Sequence, residues 1–321
     1  MNWLEFKKAA EDVGFMSVGQ CSPDSFNHSK RIVESQPPLS ERRQLRYLPR
    51  EEMPWIRSIA VLLFPYMPAT VQNDNTVFID SYYQASNNAY HAAISLENIA
   101  KSAGRMIKAN VSYPAKEAAV RAALGAIGKN GLLITEQYGT RVVIILMATD
   151  FAPEGEDAPY TGISCLDCGA CIRACPAAAL DQHGMSHPER CLRNFMMEGV
   201  VMPEHLREKN GARLIGCDVC QRVCPMQKEK VTVSKSVDFC TDDFVTQDQA
   251  AFSDSVQRLA NMIGRNAARP QRIRAQAALI AGNSGNPAYL PILRDWSESP
   301  FEAVRVHASW AVERLSAVKH D

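Results

Sequence analysis

Eight of the ten cysteines in this chain of 321 residues fall into two blocks, and each block ends in Cys-Pro. The first block has the spacing Cys165-x2-Cys168-x2-Cys171-x3-Cys175-Pro176. The second block has the spacing Cys217-x2-Cys220-x3-Cys224-Pro225, and Cys191 lies upstream of it. The first spacing is typical of bacterial [4Fe–4S] sites, in which the fourth cysteine ligates the other cluster of a pair. The chain is therefore predicted to bind two [4Fe–4S] clusters.

The spacing also predicts how the eight thiolates divide between the clusters. Cysteines two residues apart can wrap around one cluster, whereas the cysteine before each proline leaves in another direction. If Cys191 is the detached first member of the second block, each cluster receives four ligands. The first cluster is then held by Cys165, Cys168, Cys171 and Cys224. The second cluster is held by Cys175, Cys191, Cys217 and Cys220.

Structural zinc is the alternative use of these cysteines. All-cysteine zinc sites also contain Cys-x2-Cys pairs, but those pairs are usually separated by one longer loop. A four-cysteine run answered by a second Cys-Pro block differs from that pattern, so iron–sulfur clusters are favoured. Disulfides are not expected in a reducing compartment. Cys21 and Cys240 lie outside the pattern and are predicted to be ordinary thiols.

The composition predicts a cytoplasmic globular protein of two or three domains. The opening MNWLEFKKAAEDVG is a charged amphipathic pattern, unlike a secretory signal, and apolar runs such as 142–148 are too short to span a bilayer. The formal net charge is zero, so no overall field attracts a polyanion and any nucleic-acid surface must be a local patch. Neither a membrane nor DNA is an expected partner.

The expected fold class is α+β, with four successive segments. Residues 1–155 are predicted to form an α/β domain, with helices over 4–13, 90–107 and 116–124 and buried strands over 56–64 and 141–149. Residues 156–230 are predicted to be a ferredoxin-like double [4Fe–4S] domain, and residues 231–250 a linker. Residues 251–321 are predicted to be HEAT-like helical repeats, because Arg274-Ala275 is echoed 31 residues later by Arg305-Val306. Two such repeats are too few to be stable alone, so they should pack on the rest of the protein.

The helical segment also carries a basic pattern. No acidic residue occurs between Asp254 and Asp295, while five arginines occur at positions 258–274, namely Arg258, Arg265, Arg269, Arg272 and Arg274. A basic face on repeat helices suits a phosphate backbone. A solvated helix face is the alternative.

Taken together, these features resemble the epoxyqueuosine reductase family. The resemblance is strongest from Leu124 to Lys228 and includes the segment 124–134 with its Gly-Lys-Asn turn, the first cysteine run, and the segment Gly216–Pro225. Further motif elements are Tyr138-Gly139-Thr140, Pro188-Glu189-Arg190-Cys191 and Pro203-Glu204-His205-Leu206. The segment Ala89-Tyr90-His91 is similar to a family element near the cofactor.

The resemblance implies an oxidoreductase that reduces epoxyqueuosine to queuosine in tRNA. It implies a cobalamin held between the N-terminal domain and the cluster domain, electrons delivered by a small electron-donor protein, and recognition of the tRNA anticodon stem-loop. The residues that it implies for the cofactor are Tyr90, His91, Gly128, Lys129, Asn130, Gly139 and Asp218.

One family feature is missing. The family places an acid, thought to protonate the epoxide oxygen, in an Asp-x-x-Pro segment, but here the segment reads Asn110-Val-Ser-Tyr-Pro114, with Val111 in place of the aspartate. Tyr113 and Glu117 are the nearby ionisable candidates. Two alternative functions therefore stay open: a corrinoid and iron–sulfur reductase or electron-transfer protein of the same fold with a different substrate, and a cluster-bearing binding module without a corrin.

Overall fold

The protein is described here from a computed structural model, which covers residues 1–34, 46–68, 75–160, 162–184, 187–227 and 239–317. The helices are α1 (Trp3–Asp12), α2 (Asn27–Glu34), α3 (Pro49–Glu52), α4 (Ser81–Ser102), α5 (Ala115–Arg121), α6 (Ala170–Ala174), α7 (Leu192–Glu198), α8 (Glu204–Asn210), α9 (Val219–Arg222), α10 (Gln249–Ile263), α11 (Pro270–Ser284), α12 (Leu290–Trp296) and α13 (Glu302–Ala317). The strands are β1 (Ser17–Cys21), β2 (Ser58–Pro65), β3 (Phe78–Ile79), β4 (Ile107–Lys108), β5 (Ala126–Ile127), β6 (Leu133–Ile134), β7 (Val142–Thr149) and β8 (Arg213–Ile215).

The N-terminal domain is built on a four-stranded sheet in the order β1-β2-β7-β4. The two predicted buried strands are β2 and β7, which pair in its centre, and every pair in the sheet is antiparallel. Their apolar residues cover both faces, so α1 and α4 pack on one side and α5 on the other. The N-terminal domain is therefore an α+β domain with an antiparallel sheet, which corrects the α/β prediction.

Helix α4 differs most from its predicted bounds. It begins at Ser81, nine residues before the predicted start at Tyr90, because the Asp80 carboxylate caps it by accepting the N–H of Tyr82 at 3.0 Å. It ends at Ser102, and Ile107 belongs to strand β4 instead. No helix in the described ranges is long and apolar enough to cross a bilayer.

The stretch of residues 75–80 connects three parts of the chain. Its strand β3 pairs in parallel with β8, which lies between the two halves of the second cysteine set. On its other side, Val77 donates its N–H to the carbonyl of Phe239 at 2.9 Å, and Thr241 donates to the carbonyl of Asn75 at 3.0 Å. Of the predicted linker 231–250, residues 231–238 lie outside the described ranges, whereas Phe239 and Phe244 are fully buried.

The C-terminal helices α10–α13 share one apolar cluster with residues from the other segments. Tyr83 of α4 and Leu214 and Ile215 of β8 belong to the same cluster as the inner faces of these helices. The prediction that the helical segment packs on the rest of the protein is therefore confirmed. Its HEAT-like character stays a prediction.

The buried side chain of His307 on α13 connects the helical segment to the cluster domain through hydrogen bonds. Its ring is fully buried, its Nε2 accepts the N–H of Met202 at 2.9 Å, and its Nδ1 therefore donates to the carbonyl of Ala275 at 2.9 Å. Burial lowers the pKa of this imidazole to about 4. The ring is consequently neutral in the folded protein at neutral pH.

This buried imidazole predicts a pH dependence of stability. The unfolded chain binds a proton on His307 near pH 6.5, whereas the folded protein resists protonation until about pH 4, so stability falls as the pH drops through this window. The loss attributable to His307 should be about 2 kcal/mol at pH 5 relative to neutral pH. Anaerobic urea unfolding at both pH values should show a smaller acid loss in His307→Gln than in the parent. The exposed His205 supplies the control His205→Gln, and equal acid losses in all three proteins would contradict the prediction.

Candidate iron–sulfur and substrate site

The structure collects the eight cysteines of the two blocks into two groups of four. In one group, burial raises the pKa of Cys224, and the neighbouring thiols of Cys168 and Cys165 add to it. Burial likewise raises the pKa of Cys171, with Cys224 and Cys168 as neighbours. Cys224 therefore lies with the three cysteines of the first run, although 53 residues separate it from Cys171.

The second group forms in the same way. Burial raises the pKa of Cys220, and the thiols of Cys217, Cys191 and Cys175 raise it further, followed by that of Cys171 from the first group. The two groups are thus side by side. They are the sets that the spacing assigns to the first and second clusters, and each contains one cysteine that crosses over from the other block. Ligation by these sets stays a prediction.

The chemistry of each group fits a cubane. No three Cys, His, Asp or Glu side chains of the described residues lie close enough to share a single metal ion. A cubane does not require this, because its four cysteines each bind a different iron atom. Cys21 lies apart, in the core of the N-terminal domain, and Cys240 donates its S–H to Asp243 Oδ2 at 3.3 Å.

The Gly-Lys-Asn turn lies against the first group of thiols. Gly128, Lys129 and Asn130 line one pocket together with Cys165, Cys168, Cys171 and Cys224. The backbone joins these two segments, because Ser164 donates its N–H to the carbonyl of Ile127 at 2.8 Å. The turn that the family resemblance assigns to the corrin is therefore adjacent to the first cluster site.

Gly139 and Asp218, which the resemblance also implies for the cofactor, make close contacts within the protein. Gly139 has a positive φ of 57°, and an added Cβ would lie 2.6 Å from the carbonyl oxygen of Met226, so only glycine allows this close approach to the segment after Cys224. Asp218 is buried, and its Oδ2 accepts Arg222 Nε–H at 2.7 Å. Both residues position the second cysteine block in the structure.

We infer that a cleft lies between the N-terminal domain and the cluster domain, because Lys116 of the former lies beside Arg193 and the thiols of Cys220 and Cys191 of the latter. On one wall, the Tyr90 ring of α4 is 48% exposed and packs edge-on against His91, with 5.4 Å between the ring centroids. Asn110 Nδ2 donates to the Tyr90 carbonyl at 3.4 Å, which brings the segment with Val111 to the same wall. Val111 itself packs partly against the core of the N-terminal domain. The space bounded by Tyr90, Asn110, Lys116 and Arg193 is called the interdomain cleft below.

Lys116 and Arg193 supply positive charge to this cleft, and no sequence motif predicts either residue. The Lys116 side chain is exposed to solvent but is surrounded by protein at longer range, and this burial, together with the positive charge of Arg193, lowers its pKa to about 8. Cys220 and Cys191 of the second group are its other charged neighbours. Arg193 covers the rings of Tyr82 and Tyr83 at 5.3 and 5.5 Å. The available signal was their position, since each lies two residues after a motif that the sequence does show, Pro114 and Cys191.

The two candidate substitutes for the missing acid lie in the interior of the N-terminal domain. Tyr113 is buried and stacks on Phe26 with 5.9 Å between centroids, and burial raises its pKa to about 12. Glu117 is also buried, and its carboxylate accepts the N–H of Ser29 at 2.7 Å. The structure does not bring either group to the interdomain cleft.

The five arginines of the predicted basic face divide into two kinds. Arg258 pairs with Asp243 at 3.7 Å, and Arg274 bonds to Gln249 at 2.8 Å while lying over the Phe252 and Trp296 rings. Arg272 donates to the Asn266 carbonyl at 2.9 Å. These three therefore contribute to packing within the helical segment.

Arg265 and Arg269 are exposed, and they lie at the connection between α10 and α11. This connection is fastened to α4, because Asn87 Nδ2 donates to the carbonyls of Asn261 and Met262, both at 3.3 Å. Asn87 is one helical turn before Tyr90 and His91. The two exposed arginines thus follow a helix end that contacts α4 one turn before Tyr90 and His91.

Residues 164–227 match the family described as the 4Fe-4S double cluster binding domain. The protein therefore carries a double [4Fe–4S] domain that follows an antiparallel α+β domain in the sequence. Its sequence is similar to the epoxyqueuosine reductase of Lactococcus garvieae (31% identical over 203 residues, 61% of this chain and 57% of the relative). It is also similar to that of Aliivibrio fischeri (26% identical over 342 residues, 96% of this chain and 90% of the relative).

A solved structure of an epoxyqueuosine reductase with an epoxyqueuosine-modified tRNA-Tyr stem loop shares the fold, with a TM-score of 0.71 at 23% identity, covering 98% of each chain. The resemblance to epoxyqueuosine reductases that the motifs indicated is confirmed by these similarities. The chain spans less than two thirds of the Lactococcus garvieae relative in its alignment.

Proposed function

We propose that this protein is an oxidoreductase that reduces epoxyqueuosine to queuosine in tRNA. The observation that carries the proposal is the placement of two four-thiol groups side by side, in a chain similar along most of its length to an epoxyqueuosine reductase. Removal of the epoxide oxygen as water consumes two electrons and two protons. The cluster domain suits the delivery of electrons, and the cleft suits the reacting base.

Cobalamin is the proposed second cofactor, and the cleft would hold it. A flat macrocycle would cover the half-exposed Tyr90 ring, and His91 and Asn110 offer polar groups on the same wall. When bound, cobalamin would supply a low-valent cobalt centre, which is a strong reductant and nucleophile. The residues of this chain would orient the corrin and exclude water from it.

Lys116 is proposed to supply the proton that the family takes from the missing aspartate. It lies five residues after Val111 in the chain, and it carries a positive charge beside the second group of thiols. An acid whose pKa is near the working pH is an effective proton donor. Arg193 keeps this site cationic, which favours the negative charge that develops on the leaving oxygen.

Electrons are proposed to enter at the first cluster. Cys168 is exposed, and the neighbouring Leu166 and Asp167 side chains are 64% and 69% exposed. A small electron-donor protein could therefore approach this cluster closely. The second cluster lies next to Lys116 and the cleft, so electrons would pass from the surface towards the substrate.

The tRNA stem-loop is proposed to bind across the cleft rim and the α10–α11 connection, on helices that we regard as HEAT-like repeats. The support is the exposure of Arg265 and Arg269 beside the wall that carries Tyr90. The relative solved with an epoxyqueuosine-modified stem loop has the same fold. A cytoplasmic location stays a prediction.

Charge reversal should test this surface. Arg265→Glu with Arg269→Glu should weaken tRNA binding by roughly tenfold or more, and should reduce the slope of log affinity against log salt by about two, because two phosphate contacts are lost. Fluorescence anisotropy over a salt series measures both quantities. Lys8→Glu with Arg294→Glu is the matched control, since both side chains are exposed and lie on α1 and α12. Equal weakening in both double variants would mean that only net charge matters.

A reductase of the same fold with another substrate is the second candidate, and Val111 favours it. An anaerobic turnover assay separates the two. Holoprotein loaded with iron, sulfide and cobalamin should convert epoxyqueuosine in an anticodon stem-loop to queuosine when given a low-potential reductant. Reduction of the cofactors without any loss of epoxyqueuosine would instead favour the second candidate.

A further inference from the structure

The turn between β5 and β6 holds a buried side-chain amide, that of Asn130, of which only the oxygen is hydrogen-bonded to a described residue. Asn130 is 2% exposed, and its Oδ1 accepts the N–H of Leu132 at 3.2 Å. Its Nδ2, by contrast, has no partner among the described residues. A buried donor left unpaired is costly, so such a group in a native protein calls for a partner.

Asn130 lies close to sulfur atoms that can accept hydrogen bonds. Asn130 lines the same pocket as the four thiols of the first group, Cys165, Cys168, Cys171 and Cys224. The turn is held in place there, because Gly128 donates its N–H to Leu132 at 3.0 Å and Gly131 donates to Gly128 at 2.8 Å. The sulfur atoms of a cluster in this pocket are acceptors that the Asn130 amide lacks in the protein itself.

Lys129, the preceding residue, brings a positive charge to the same pocket. Its side chain is 18% exposed, and its ammonium interacts electrostatically with Cys165 and Cys171. It also pairs with the Asp167 carboxylate, which is 69% exposed and lies between the first two cysteines in sequence. The pocket therefore has a cation on the cluster side and a carboxylate towards solvent.

We propose that Asn130 and Lys129 set the reduction potential of the first cluster, with the Asn130 amide donating to a cluster or cysteinyl sulfur and Lys129 stabilising the added electron. Hydrogen bonds to the sulfurs, net charge and solvent exposure are what the protein uses to adjust such potentials. Both groups favour the reduced form of the one-electron couple, because that form carries one more negative charge. The inference rests on the proposed first cluster and not on epoxyqueuosine turnover.

Redox titration of the holoprotein, followed by electron paramagnetic resonance, tests this role. Asn130→Asp keeps the side-chain shape but replaces the N–H donor with an acceptor, and Lys129→Met keeps the chain length but removes the charge. Each should lower the midpoint potential of one of the two cluster signals and leave the other in place. A tenfold change in the ratio of oxidised to reduced cluster at a fixed solution potential corresponds to about 59 mV for a one-electron couple.

Asp167→Asn provides a control in which the midpoint potential should shift in the opposite direction. It removes the countercharge from an exposed position, so it should raise the midpoint potential of the same signal, which a purely structural role of the turn would not do. If Asn130→Asp fails to bind its full iron, the Lys129 and Asp167 variants still decide the question. Shifts of the same sign in both, or unchanged midpoints at full iron content, would overturn the proposal. Absence of both cluster signals in the parent protein would overturn it together with the proposed cluster.

Discussion

Replacing Cys175 with alanine should remove the second cluster and leave the first. Cys175 lies in the first block of the sequence, yet its neighbours in the structure are Cys220 and the rest of the second group. Iron in anaerobically reconstituted protein should therefore fall from about eight to about four atoms per chain, since each cubane contains four. Cys240→Ser is the control, because that thiol lies outside both groups, and it should retain about eight.

Double variants identify which cluster Cys175 serves. Cys168 belongs to the first group, so Cys168→Ala with Cys175→Ala should abolish both clusters and leave almost no iron. Cys217 belongs to the second group, so Cys175→Ala with Cys217→Ala should retain about four iron atoms, as the single variant does. If the first double variant kept about four iron atoms and the second lost all of them, Cys175 would be a ligand of the first cluster and the crossover would be wrong.

Replacing Lys116 with methionine should slow epoxide reduction by about a hundredfold to ten-thousandfold, which is the usual contribution of a general acid. Single-turnover measurement with fully reduced holoprotein isolates this step from electron delivery. Tyr113→Phe and Glu117→Gln should have much smaller effects on the step, because both side chains lie in the interior of the N-terminal domain. Lys108→Met is the matched control on an exposed lysine of β4.

The pH dependence of the rate constant gives a second test of Lys116 as the proton donor. The pKa of Lys116 is lowered to about 8, so the protonated donor is present below that pH and is lost as the pH rises through it. The rate constant of the parent should thus decline above about pH 8. Lys116→Arg keeps the positive charge but does not titrate in this range, so its low rate should lack that decline. A full rate in Lys116→Met with normal iron content would show that the proton comes from another group.

The cluster site was the part of the protein for which the sequence made its most specific prediction. Cysteine spacing is a local pattern, and counting four ligands for each cluster leads to the crossover of Cys175 and Cys224 without any knowledge of the fold. The central strands β2 and β7 were also predictable, because each is a continuous apolar run. Their antiparallel pairing was not, since runs buried on both faces look alike in parallel and antiparallel sheets.

The remaining differences come from contacts between segments that are distant in sequence. The hydrogen bond between Ser164 and Ile127 holds the Gly-Lys-Asn turn beside the first thiol group. The sequence of the turn alone does not predict this position. In the helical segment, spacing predicts a basic face, but Arg258 pairs with Asp243 and Arg274 bonds to Gln249, so neither is a free surface arginine. Lys116 was overlooked because a single lysine at a helix start has no distinctive pattern.

The stretch 75–80 limits how the chain can be divided into fragments that fold on their own. Hydrogen bonds attach it to β8 on one side and to residues 239–241 on the other, and its last residue caps α4. Cutting the gene at boundaries suggested by the motifs would leave this stretch without one neighbour or the other and would expose Phe239 and Phe244. Fragments made in that way should aggregate. Biochemical work on any one domain is therefore best done with the intact polypeptide.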